Sequence, residues 1–172
     1  MLIRVSILLL AVLLSSGNSS ASTGQFLQTE VTGIEIVDYG VIGIMSEKIM
    51  VDAPDTATGK KTGLKKADIK ETTDEIPAKV GIAFGVTYIV HGKPRKADIK
   101  ILVKRFHPRF TNPKSQKSYT AEQSTWNREI GKVTMNGFHF AEEWEVVPGE
   151  WIFQFWYEGR KLAEKIFTVY KP

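Results

Sequence analysis

Residues 79–90 carry a strict two-residue alternation of side-chain character. Val80, Ile82, Phe84, Val86, Tyr88 and Val90 fall on one face, and Lys79, Gly81, Ala83, Gly85, Thr87 and Ile89 on the other. A helix would scatter the first set around its circumference, so the pattern predicts a strand. Residues 91–94 (His-Gly-Lys-Pro) predict a turn. Residues 97–106 repeat the alternation, with Ile99, Ile101 and Val103 opposite Lys100 and Lys104. Pro108 and Pro113 predict a rigid loop between them. The chain closes on a predicted hairpin. Trp151, Phe153, Phe155 and Tyr157 share one face of its first strand, Glu158-Gly159-Arg160 forms the turn, and Ala163, Lys165, Phe167 and Val169 share one face of the second strand. Lys165 is the exception in that apolar set.

Elsewhere the pattern is weaker. Residues 31–39 and 41–51 predict strands, with Gly33, Gly40 and Gly43 at bends or bulges. Residues 52–63 are rich in Asp, Pro, Thr and Gly and predict a loop. Residues 65–75 are polar and suit an edge strand, whose charges discourage pairing with other chains. Residues 119–131 fit a loop, a short helix or an irregular strand. Residues 133–140 predict a strand with a turn at Asn136-Gly137, and residues 144–147 a further short segment. Short strands separated by turn signals, with no long helix and no repeat, predict an all-β protein. The expected fold is an antiparallel immunoglobulin-like β-sandwich of about seven to nine strands. The Pro148-Gly149 corner opening an aromatic final hairpin is consistent with such a fold.

The first residues add a location. Arg4 precedes an apolar run at 5–14, followed by small polar residues at 15–23. This is the three-part layout of a secretory signal, too short to span a bilayer. Residues 1–21 are expected to be a cleaved signal peptide, 22–29 a flexible lead-in and 30–172 a single sandwich domain. The expected location is periplasmic or extracellular, with no transmembrane segment after cleavage. The chain has no cysteine, which excludes thiol catalysis, thiolate metal sites and a lipid-modified cysteine.

Several strings also match in order and spacing. They are Ile76-Pro77-Ala78-Lys79-Val80-Gly81-Ile82-Ala83-Phe84-Gly85, Gly92-Lys93-Pro94, His107-Pro108, Gly137-Phe138-His139-Phe140, Trp144-Glu145-Val146-Val147-Pro148-Gly149-Glu150-Trp151 and Gly159-Arg160-Lys161-Leu162-Ala163-Glu164-Lys165. Together they resemble an uncharacterised bacterial family of small exported proteins, defined only as a domain of unknown function. The resemblance runs from about Gly33 to Val169. It implies no activity and assigns no functional residue.

Charge is uneven. The net charge is +4, yet residues 91–117 hold nine Lys/Arg and one acid, Asp98. Lys93, Arg95, Lys96, Lys100, Lys104, Arg105 and Arg109 form a candidate binding patch, which Lys114 and Lys117 could extend. In an exported protein its partner would be an acidic envelope polymer, a lipid phosphate or a protein, and not nucleic acid. The alternative is a solvated, pairing-resistant strand face. Trp151 is expected in the core. Trp156 shares a face with Ile152, Gln154 and Glu158 and is a candidate aromatic contact.

Chemistry is sparse by comparison. His91, His107 and His139 have no ligand-spaced partner, so no metal site is expected, and no cofactor motif occurs. Serine-nucleophile elbows and phosphate-binding glycine loops are missing from the sequence. Glu143 and Glu145, if on one face of a short strand, would be the only candidate carboxylate pair for a carbohydrate-active enzyme. The preferred reading is a non-enzymatic binding or structural module of the bacterial envelope.

Overall fold

A computed structural model describes residues 28–44, 48–64 and 67–172. The segment expected to be a signal peptide and most of the expected lead-in lie outside the described residues. The strands are β1 (Glu30–Ile44), β2 (Lys48–Asp52), β3 (Lys60–Leu64), β4 (Ala67–Thr72), β5 (Glu75–Pro77), β6 (Ala83–Lys93), β7 (Asp98–Thr111), β8 (Ser118–Glu129), β9 (Val133–His139), β10 (Gly149–Tyr157) and β11 (Arg160–Tyr170). Nine of these build two packed sheets, ordered β4-β1-β6-β9 and β5-β11-β10-β7-β8, and β2-β3 is a separate hairpin. All pairings are antiparallel except the short parallel one between β5 and β11.

Alternation explains the core. Phe84, Val86, Tyr88 and Val90 of β6 are fully buried, and they face Trp151, Phe153 and Phe155 of β10, also fully buried. The Phe84 ring lies 5.2–5.7 Å, centroid to centroid, from Phe140, Trp151, Phe153 and Phe167. Tyr88 packs 4.6 Å from Phe155. These tilted and edge-on ring pairs add to the hydrophobic term that holds the two sheets together.

Several local expectations are corrected. Residues 31–44 form one continuous strand, because Gly40 (φ +137) lets β1 pass within contact of the β4 backbone. A Cβ there would lie 2.0 Å from the Glu71 carbonyl oxygen. The expected loop at 52–63 is half strand, since Lys60–Leu64 pairs with Lys48–Asp52. β6 starts at Ala83, not Lys79. Gly81 (φ +90) sits in a turn whose N–H donates to Phe140 O at 2.8 Å, and Val80 is exposed. β6 also runs on through His91-Gly92-Lys93, so the turn falls at Pro94 to Lys96.

Pro108 lies within β7, where the register with β8 slips between Phe106 and Phe110. A bulge tolerates the missing N–H of proline. Residues 118–129 are a full strand. Asn136-Gly137 makes no turn, because β9 passes straight through it. Asn136 is buried and accepts from Tyr88 Oη at 2.8 Å, and Gly137 permits close approach to Phe84. Residues 143–145 form a 3-10 turn instead of a strand.

Candidate binding face

The outer face of the five-stranded sheet follows from pairing register. Lys104 lies opposite Gln123 of β8 and Gln154 of β10, and Gln154 lies opposite Glu164 of β11. Residues directly opposite in an antiparallel pair share a face. On one side of this polar row lies an apolar one, Ile166-Ile152-Phe106-Ala121, in which Ile166 and Phe106 are exposed. On the other side Trp156 lies opposite Leu102.

The polar row is connected. Lys104 Nζ sits over the Trp156 ring, 4.4 Å from its centroid. Trp156 Nε1 donates to Gln154 Oε1 at 3.0 Å, and Gln154 Nε2 donates to Glu164 Oε2 at 2.8 Å. Lys161 Nζ reaches the same Glu164 oxygen at 2.8 Å. Hydrogen bonds from Lys161 and Gln154 hold the Glu164 carboxyl below its ordinary range. A half-buried indole is thus fixed in orientation beside a cation, on a sheet rather than on a mobile loop.

The predicted basic residues do not form one patch. β7 is extended, at about 3.3 Å per residue, so Lys96 and Arg109 lie roughly 40 Å apart. Lys93, Arg95 and Lys96 are exposed at one end of the sandwich, Lys100 and Lys104 lie on the outer face, and Arg109 is exposed in the bulged end of β7. Arg105 is a correction: its side chain is 13% exposed and faces inward. It follows Ile99, Ile101 and Val103 in the same alternation, a signal present in the sequence and missed.

Arg105 anchors a buried polar cluster. Its Nη1 donates to Gly137 O across the sandwich at 2.9 Å, and its Nη2 lies 3.5 Å from Glu122 Oε2. Glu122 Oε1 accepts from Ala57 N–H at 2.6 Å. His107 stacks between Phe110 and Trp151, with centroids 4.2 and 4.8 Å away. Its Nδ1 bonds the Pro108 carbonyl at 2.9 Å, so the proton sits on Nδ1 and Nε2 is bare. Burial holds the His107 ring below the usual histidine range, against partial opposition from that carbonyl and Glu122. Burial pushes the Glu145 carboxyl up.

A pH dependence follows. As pH falls below about 6.5, the ordinary histidine value, the unfolded chain takes up a proton that folded His107 resists, so stability drops. Glu145 acts in the opposite sense, since its folded form keeps a proton that the unfolded chain has released. A His107→Phe variant is expected to lose less melting temperature than the native chain between about pH 7 and 5. Equal losses in thermal melts would refute the assignment.

The paired-carboxylate expectation fails on geometry. Glu145 is buried, and its Oε2 accepts from the N–H groups of Ala141 and Glu142 at 2.8 and 3.0 Å, whereas Glu143 is exposed. The two do not share a strand face. A concave surface lies elsewhere, between the β2-β3 hairpin and β8, lined by Asp52, Asp55, Lys61 and Gln123. Among the described residues, no three His, Asp or Glu side chains converge as metal ligands, and no helix is long and apolar enough to cross a membrane. His91 pairs with Glu35 at 2.8 Å on the surface. Trp126 lies under Lys61 and Arg128, and Trp144 packs edge-on against Phe110.

Comparison with known proteins agrees with this architecture. Residues 30–169 match the model of a domain of unknown function, DUF3859. An immunoglobulin-like protein from Pseudomonas aeruginosa, known from a crystal structure, superposes with a TM-score of 0.59 at 25% identity. The match covers 86% of this chain and 100% of that one. No curated protein matches the chain.

Proposed function

Since this chain belongs to the DUF3859 family of domains of unknown function and has an immunoglobulin-like fold, we propose that it is an exported, non-enzymatic binding module of the bacterial envelope. Its recognition face is the outer face of the β5-β11-β10-β7-β8 sheet, and its ligand is an acidic envelope polymer. The observation that carries this reading is the placement of Lys104 Nζ 4.4 Å over Trp156. It joins the basic stretch and the candidate aromatic residue on one surface. The exposed part of the Trp156 indole offers apolar contact to a sugar, while Lys104 and Lys100 meet its carboxylate or phosphate groups. The signal-like run at 4–23 supports export.

The apolar row Ile166-Ile152-Phe106 beside this network favours a second reading, a protein partner. Salt distinguishes the two, because surface charge attraction is screened and apolar burial is not. The test is retention of the exported, purified chain on immobilised acidic and neutral polysaccharides. Retention is expected on the acidic matrix only and is expected to fall steeply with salt. Lys104→Glu and Trp156→Ala are each expected to weaken it about tenfold or more, a loss of about 1.4 kcal/mol. Unchanged retention in both variants would sink the proposed face.

A further inference from the structure

Along the side of the sandwich where β8 and β9 end the two sheets, cations cap the strand carbonyls. Gln123 N–H donates to Asp55 O at 3.2 Å, away from β7, so by alternation the N–H and C=O of Thr125 and Asn127 also point outward from that edge. Lys61 Nζ donates to Thr125 O, and Arg128 Nη1 donates to Asn127 O at 2.9 Å. Facing them, Phe140 N–H donates to Ile82 O, so the carbonyls of Met135 and Gly137 point away from β6. Arg128 Nη2 reaches Met135 O at 3.4 Å, and Arg105 Nη1 donates to Gly137 O at 2.9 Å. The Arg128 guanidinium thus holds both edges. Asn127 N–H lies on the β8 edge between the carbonyl capped by Lys61 and the one capped by Arg128, and among the described residues no acceptor meets it.

The two cations that flank this amide lack a counter-charge. Lys61 Nζ lies 4.1 Å and Arg128 Cζ 5.0 Å from the centroid of the same Trp126 ring. Arg128 also bonds Tyr88 Oη and Asn136 Oδ1, so every partner it has is neutral. Asp52 and Asp55 line the concave surface beside Lys61, and Glu129 pairs with Lys132 at 3.9 Å. Among the described residues no carboxylate comes within ion-pair distance of Lys61 or Arg128. Lys100, opposite Asn127 on β7, adds further positive charge. Burial, and then the Arg128 charge, hold the Lys61 ammonium below the usual lysine range. We infer that this seam is an oxyanion site whose ligand is a phosphate group. Its oxygens accept from Asn127 N–H, from the Lys61 N–H groups that Thr125 leaves free and from the remaining N–H of Arg128 Nη1. Two cations beside an amide suit a phosphate dianion better than a singly charged carboxylate.

The test is an NMR titration of the isotope-labelled full chain, purified after export, with inorganic phosphate and separately with glycerol phosphate. Sodium chloride at matched ionic strength is the control. The Asn127 amide and the Trp126 indole N–H are expected to shift and saturate with a Kd of about 1 mM or tighter, and chloride is expected to leave them in place. Lys61→Met keeps an apolar stem over the Trp126 ring and is expected to weaken binding about tenfold or more, whereas Lys61→Arg retains it. Trp156→Ala is expected to leave phosphate binding unchanged, so this site and the outer recognition face can fail independently. Saturation by inorganic phosphate makes the free ion a sufficient ligand, and saturation by glycerol phosphate alone assigns a phosphate ester. Either supports the site. No saturation by either probe, equal shifts with chloride, or unchanged affinity in Lys61→Met would overturn it. Circular dichroism melts confirm that each variant is folded.

Discussion

Arg105→Leu is expected to lose about 3–5 kcal/mol of folding stability, the range found when one partner of a buried ion pair is removed. Glu122 would keep its bond to Ala57 N–H but lose the guanidinium that faces it at 3.5 Å. Its carboxylate is buried, so solvent cannot replace the guanidinium. The Gly137 carbonyl on β9 would also be uncapped. The double variant Arg105→Leu/Glu122→Gln should recover a large part of the loss. The amide still accepts from Ala57 but carries no charge. Urea denaturation measures both. A loss under about 1 kcal/mol for the single variant would mean that water screens the pair as it does on a surface.

Trp151→Ala is expected to cost about 3–5 kcal/mol, as for other fully buried aromatic residues. Its ring lies 4.8–5.6 Å, centroid to centroid, from Phe84, Phe138, Phe140 and His107, and its Nε1 donates to Val147 O at 3.1 Å. Truncation would open a cavity where both sheets and the 3-10 segment meet. Trp156→Ala makes the contrast. That side chain is half-buried on an outer face, and its loss should cost under about 1 kcal/mol. Similar losses for the two variants would contradict the division between core and recognition face.

Much of the fold was legible because alternation is a strong local signal. The faces of β6, β7, β10 and β11 follow directly from it, and so does the burial of Trp151. The misreadings share a cause. At Asn136-Gly137 a hairpin signature sits in the middle of a strand, because the asparagine serves Tyr88 and Arg128 and the glycine serves close packing. β8 was ambiguous because its inward residues include Glu122 and Ser124, polar groups whose partners lie on the β2-β3 loop and on Trp126. Tertiary partners of that kind leave no periodic trace. Trp156 and Lys104 were each readable as surface candidates, but their contact depends on the β7-β10 register, which no single strand encodes. Arg105 shows the reverse error: residue type outweighed an alternation that placed it inside.

The most direct test of the recognition face is a two-dimensional NMR titration of the isotope-labelled chain with an acidic oligosaccharide. The Trp156 indole N–H and the amides of Lys104, Gln154 and Gln123 should shift together, saturate with ligand and relax as salt is added. Shifts confined to the ends of the sandwich, or no shifts where an acidic ligand is in excess, would contradict the account.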